Sequence, residues 1–184
     1  LKQIDYQRRW KTSYEQACVR EANRLAAPAH HAAYTAFKAG LSEREICAAY
    51  LAVNNSSEYH LPYQATVGLN EHAAIMHHKN LNEQRLSVLN SFLIDAGIDY
   101  NGYASDITRT YAYDTGSEFA AMITMMDQQQ QALVAAGVID RSAVDMQLLM
   151  EAKIAEVLKQ FGILTTSVEA AIDAKIIATF CPHT

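Results

Sequence analysis

The chain has 184 residues, 50% of them hydrophobic and 19% charged, enough apolar surface for one sizeable core or part of a larger one, and far from the composition of disordered chains. Its formal charge of -5 at pH 7 is spread along the sequence, which excludes the basic stripe that nucleic acid requires and the polybasic anchor that a membrane surface requires. No apolar run reaches the roughly 20 residues that span a bilayer, and the first residues lack the charged-then-apolar layout of a signal peptide, so a cytoplasmic location is the default expectation.

Thr12-Ser13-Tyr14-Glu15 has capping-box spacing and opens a helix expected over residues 13–39, closed by Gly40. Pro28 falls inside it, removing a backbone donor and crowding the preceding turn, so a kink or a junction of two helices is expected there. His30 and His31, on this helix, read as structural or exposed. Ser42-Glu43-Arg44-Glu45 is a second capping box, for a helix that fades in the polar run Asn54-Asn55-Ser56-Ser57. Residues 65–69, 73–77, 91–99 and 103–113 are rich in β-branched and aromatic side chains and predict strands. Helical periodicity returns over 117–136 and 142–161, each ending beside a glycine, and Met122, Met125, Met126 and Leu133 have the spacing of a packed face. A short helix over 167–174 and a strand-like piece over 176–180 lead to Pro182-His183-Thr184. Cys18, Cys47 and Cys181 are odd in number and lack paired zinc spacing, so they read as reduced thiols, the first two packed as small hydrophobes. Helices, then antiparallel strands, then helices make an α+β domain.

The segment that carries chemistry runs from Ser91 to Thr110. Asn101-Gly102 between two strand patterns predicts a two-residue turn of type I′, which demands positive φ at both positions. Counting outward from that turn pairs Tyr100 with Tyr103, Gly97 with Asp106 and Ala96 with Ile107. Asp95, Gly97, Asp99, Ala104, Asp106 and Thr108 then share one face, while Ile94, Ala96, Ile98 and Ile107 share the other. Asp95 and Asp106 become diagonal neighbours, with backbones on the order of 7–8 Å apart and no side chain at Gly97 between them. Two carboxylates aimed at one patch repel unless a proton or cation intervenes, and divalent metals about 3.5–4 Å apart fit between such a pair. Spacing alone leaves a second reading open, in which both are surface aspartates on a solvated face. Asp99, beside the turn, is explained by local turn chemistry.

Ile94-Asp95-Ala96-Gly97 with Asp106-Ile107-Thr108-Arg109-Thr110 resembles the signature of the pita-bread metallopeptidases. Tyr63 to His77 and the opening Lys11 to Ala22 narrow the resemblance to the Xaa-Pro dipeptidases, or prolidases, and the related organophosphorus acid anhydrolases. That resemblance implies a partial pita-bread (creatinase/aminopeptidase-like) domain with an antiparallel sheet flanked by helices. It also implies two divalent metal ions, Mn²⁺ by family habit, held in part by Asp95 and Asp106. The substrate would be a dipeptide with C-terminal proline, with Tyr63 lining its pocket and His77 contacting it. Phe180-Cys181-Pro182-His183 resembles the start of the family's Pro-His-Gly region, which makes His183 a second substrate-facing histidine, although Thr184 stands where the family has glycine. His72 and His78 lack such support. By the same resemblance, residues 1–184 correspond to the first part of a catalytic domain, stopping before a metal-binding histidine and two glutamates, and weak metal binding with little catalysis by the chain alone is expected. Two other readings stay open: phosphotriester hydrolysis at the same centre, and a noncatalytic binding or assembly fragment whose bare sheet edges pair with another chain, a second copy included.

Overall fold

Thr12 caps the longest helix of the computed structural model, which describes residues 2–137 and 141–180. Its hydroxyl accepts from the Glu15 amide at 3.3 Å and the Glu15 carboxylate accepts from the Thr12 amide at 2.6 Å, so two donors that a helix start leaves orphaned are satisfied. This helix, α2 (Ser13–Lys38), follows a short α1 (Lys2–Arg8) that no capping signal announces. It runs through Pro28 as one element. Pro28 lies on the exposed side, where carbonyls can tilt outward to water and relieve the clash. Ser42 caps α3 (Glu43–Val53) with the same reciprocal box.

The chain divides into two compact units, Leu1–Tyr113 and Asp114–Thr184. In the first, β1 (Thr66–Leu69), β2 (Ser91–Ala96) and β5 (Ile107–Ala112) form an antiparallel sheet in the order β1-β2-β5, and β3 (Asp99–Tyr100) pairs with β4 (Tyr103–Ala104) at its tip. The register pairs Tyr100 with Tyr103 and Ala96 with Ile107, as counted from the turn. Asn101 and Gly102 carry φ of 54° and 80°, the left-handed values a type I′ turn needs. Alanines at 26, 29 and 33 give α2 a smooth buried stripe, which lets it approach α3 and the sheet closely, and Phe37 packs against Phe92 with ring centroids 5.1 Å apart and planes tilted by 32°.

Residues 73–77, expected as a strand, do not form one. A single 3₁₀ turn (Asn70–Ala74) and a bend carry the chain there, and Ile75 and Met76 are exposed. The apolar run misled because no neighbouring strand offers it a ladder.

The second unit is helical: α4 (Glu118–Ala136), α5 (Ala143–Gln160), α6 (Val168–Asp173) and α7 (Ile177–Phe180). Ser117, Ser142 and Ser167 cap the first three. Its core joins Ile154, Ala155, Leu158, Leu164, Ala171 and Ile177. The expected strand over 176–180 is instead the helical turn α7, entered through Lys175 at a φ of 54°; five apolar residues are too few to tell the two periods apart. In α4, Met122, Met125 and Leu133 are half-buried and Met126 is exposed, so the expected packed face is only partly covered. Among the described residues no helix is long and apolar enough to cross a membrane. Cys18 and Cys47 are buried free thiols, as expected; Cys181 and His183 lie outside the described residues.

Candidate metal centre

Asp95 stands on β2 and Asp106 in the break between β4 and β5, one residue beyond the Ala96–Ile107 rung. Asp95 alternates with buried Ile94 and Ala96 and is itself half-buried, so the period of the strand turns its carboxylate away from the core. The ladder changes character at this point. Ser105 donates its amide to the Ile98 carbonyl at 2.9 Å, but the Ile98 amide donates to the Ser105 hydroxyl at 2.9 Å, and the freed Ser105 carbonyl leans over Gly97. A Cβ on Gly97 would lie 1.9 Å from that carbonyl oxygen and 3.0 Å from the Tyr63 ring. Glycine is thus what lets the strands and the ring close over the space between the two aspartates.

Tyr63 enters that space. Its hydroxyl lies 2.9 Å from Asp95 Oδ1 and 2.7 Å from Asp106 Oδ1. Burial pushes the Tyr63 phenol up, and its bonds to Asp106 and Asp95 push it further, so it stays protonated well above the usual tyrosine range. One phenolic proton cannot serve both oxygens at once, so among the described residues the two carboxylates share a single side-chain donor. Two carboxylates facing one patch favour a cation between them, and their donors are hard oxygens of the kind Mg²⁺ and Mn²⁺ take. These residues therefore fit a divalent cation. From behind, His30 on α2, its ring buried and held neutral by that burial, donates Nε2–H to the Ala96 carbonyl at 3.1 Å and fixes the strand between Asp95 and Gly97.

Replacing Tyr63 with phenylalanine is expected to cost about 1 kcal/mol of stability near neutral pH. It should also alter the alkaline limb. A phenol whose folded-state pKa is raised contributes stability below about pH 10, and that contribution is lost as pH rises from there toward the folded value. Chemical denaturation from pH 8 to pH 11 should show a shallower decline for the variant; parallel curves would mean that Tyr63 ionises normally.

Of the residues singled out in the sequence, Tyr63, Asp95 and Asp106 are brought together. His77 is placed on an exposed loop with a φ of 54°, left-handed for a residue with a Cβ. Asp99 Oδ1 accepts from the Gly102 amide at 3.0 Å, the local turn role expected for it.

A second cluster escaped the sequence reading. Glu43 is buried, and its Oε1 accepts from His72 Nδ1 at 2.8 Å and the Leu69 amide at 2.9 Å, while Oε2 accepts from His78 Nε2 at 3.2 Å and the Asn82 amide at 2.8 Å. Burial alone would push the Glu43 carboxyl up, yet the two amides and two imidazoles hold it below the usual carboxylate range. The three side chains bring their ligating atoms within 4.8 Å of one another, a donor set that zinc also accepts. Here each side of the carboxylate already faces two donors, so the cluster is a filled hydrogen-bond hub. It sits at the Leu69 end of β1, whereas Asp95 pairs with Thr66 at the other end, about 10 Å away along the strand.

Residues 17–181 match metallopeptidase family M24. An Xaa-Pro dipeptidase of Sodalis glossinidius is 43% identical over 184 residues, covering 100% of this chain and 42% of that protein. Aminopeptidase P from E. coli, in its low-pH form, superposes with a TM-score of 0.73 at 26% identity, covering 90% of this chain and 38% of the other. Proline aminopeptidase P II from Yersinia pestis gives a TM-score of 0.72 at 27% identity, covering 91% and 39%. The helices and antiparallel sheet match the pita-bread fold of these neighbours, and the chain spans about two-fifths of the length of the dipeptidases it resembles.

Proposed function

We propose, for a chain that belongs to metallopeptidase family M24, that it supplies the first part of a two-metal catalytic domain hydrolysing dipeptides with a C-terminal proline. The observation that carries this reading is the convergence of Asp95 and Asp106 on one hydroxyl across Gly97.

Asp95 and Asp106 would hold the metal ions, which we take to be Mn²⁺. When bound, the ions polarise the scissile carbonyl and lower the pKa of water, the chemistry that hydrolysis needs near neutral pH. Tyr63 keeps its proton and offers it to one carboxylate or the other from the side of the site. His77 and His183 would hydrogen-bond the substrate. Two carboxylates are fewer than the roughly six donors a hard dication takes, so water, substrate or further protein ligands would complete the set. Free thiols at Cys18 and Cys47 suit a reducing compartment, and we place the reaction in the cytoplasm.

The test is manganese-dependent hydrolysis of Ala-Pro beside leucyl-leucine and a phosphotriester, by this chain alone and by the chain joined to the remaining part of a family catalytic domain. Proline-selective, manganese-dependent cleavage by the joined protein is expected, with little by the chain alone. No cleavage on joining, equal cleavage of both dipeptides, or preference for the phosphotriester would overturn the reading.

A further inference from the structure

His77 occupies left-handed backbone, which a residue with a Cβ adopts only where its surroundings over-determine it. The loop that carries it is gathered at both ends by one carboxylate. Glu43, 1% exposed, gathers the amides at both ends of the excursion from Leu69 to Asn82 and two imidazoles within it. The rings of His72 and His78 lie 4.2 Å apart, tilted by 31°, so each limits the other's rotation. The Arg44 amide, next to Glu43, also donates to the Asn82 carbonyl at 3.2 Å, pinning the far end from both sides. His78 is tied down on the inner side and His77 follows as the exposed residue just before it.

A buried charge is costly unless donors compensate it, and here four do. A glutamine could not replace it, because its NH₂ group would meet a donor on one side. The charge is therefore required by a chain path that returns to the same point.

We propose that Glu43 is a positioning residue for His77: by tying together both ends of the loop and His78, it sets the backbone conformation that aims the His77 side chain. Its relevance to catalysis rests on the reading of His77 as a substrate-facing group.

The experiment is NMR of the chain itself with labelled histidine, comparing wild type, Glu43→Gln and His72→Ala. In Glu43→Gln, amide exchange of Leu69, Asn82 and the loop between them should accelerate roughly ten- to a hundredfold. The His77 Cα and Cβ shifts should leave the left-handed range, while the β1–β2 ladder exchanges at the wild-type rate. His72→Ala removes one donor from the solvent side and should move the same signals less; it answers the question if Glu43→Gln does not fold. Unchanged His77 shifts in a variant whose ladder stays protected, or ladder protection lost as fast as loop protection in His72→Ala, would overturn the proposal. Peptidase activity is not read, so failure of the proposed reaction leaves this outcome standing, and wild-type His77 geometry in both variants defeats the inference without touching the reaction.

Discussion

Exchanging Asp106 for asparagine should lower manganese-dependent Ala-Pro cleavage, in the chain joined to the rest of a family catalytic domain, by about a thousandfold or more. The substitution keeps the shape and leaves an oxygen to accept from Tyr63, whose hydroxyl lies 2.7 Å from Asp106 Oδ1, so the local hydrogen bond survives. What disappears is one of two negative charges facing a single donor. Metal assistance is worth several kcal/mol of barrier, and each 1.36 kcal/mol is tenfold in rate, which gives the thousandfold figure. Asp106 is exposed, so the loss of charge should leave the thermal midpoint of the chain nearly unchanged. Asp99→Asn is the matched control: Asp99 lies on the same hairpin but serves the turn, and its asparagine variant should keep full activity. Retained activity in Asp106→Asn, with the metal still bound, would remove the hairpin from the chemistry.

The hairpin was legible because its information is local. Asn101-Gly102 dictates a turn type, the turn dictates the register, and the register places Asp95 diagonal to Asp106 without any knowledge of the rest of the fold. The helix starts at Ser13 and Glu43 were legible for the same reason, since each capping box closes within four residues. The Glu43 hub was not. Its partners are 26 to 39 residues away in the chain, and a glutamate in the first turn of a helix ordinarily answers the helix dipole at the surface. Nothing local separates that role from a buried one. The same limit applies to Tyr63, which reaches the aspartates across separations of 32 and 43 residues. The resemblance pointed to a pocket residue there, but the bond to both carboxylates is a product of tertiary structure. His72 and His78 read as unremarkable for want of Glu43.

Gly97→Ala should destabilise the chain by about 3 kcal/mol, the upper part of the range for overpacking, which for a chain of this size lowers the thermal midpoint by roughly 6–12 °C. The added methyl would lie 1.9 Å from the Ser105 carbonyl oxygen, and a backbone atom cannot step aside as the end of a flexible side chain can. Relief requires the Ser105 segment to move outward. That strains the paired bonds between Ile98 and Ser105, both 2.9 Å, and carries Asp106, the next residue, away from Asp95. Tyr63 is displaced too, because its ring stands 3.0 Å from the same methyl position. Stability and cation binding should therefore fall together, which the Asp106→Asn variant separates: one loses charge and keeps the fold, the other keeps both charges and loses their geometry. Thermal melts of the wild type and Gly97→Ala, with and without manganese, check this. If the variant melts like the wild type and gains as much from the metal, the close approach at Gly97 does not hold the two carboxylates in place.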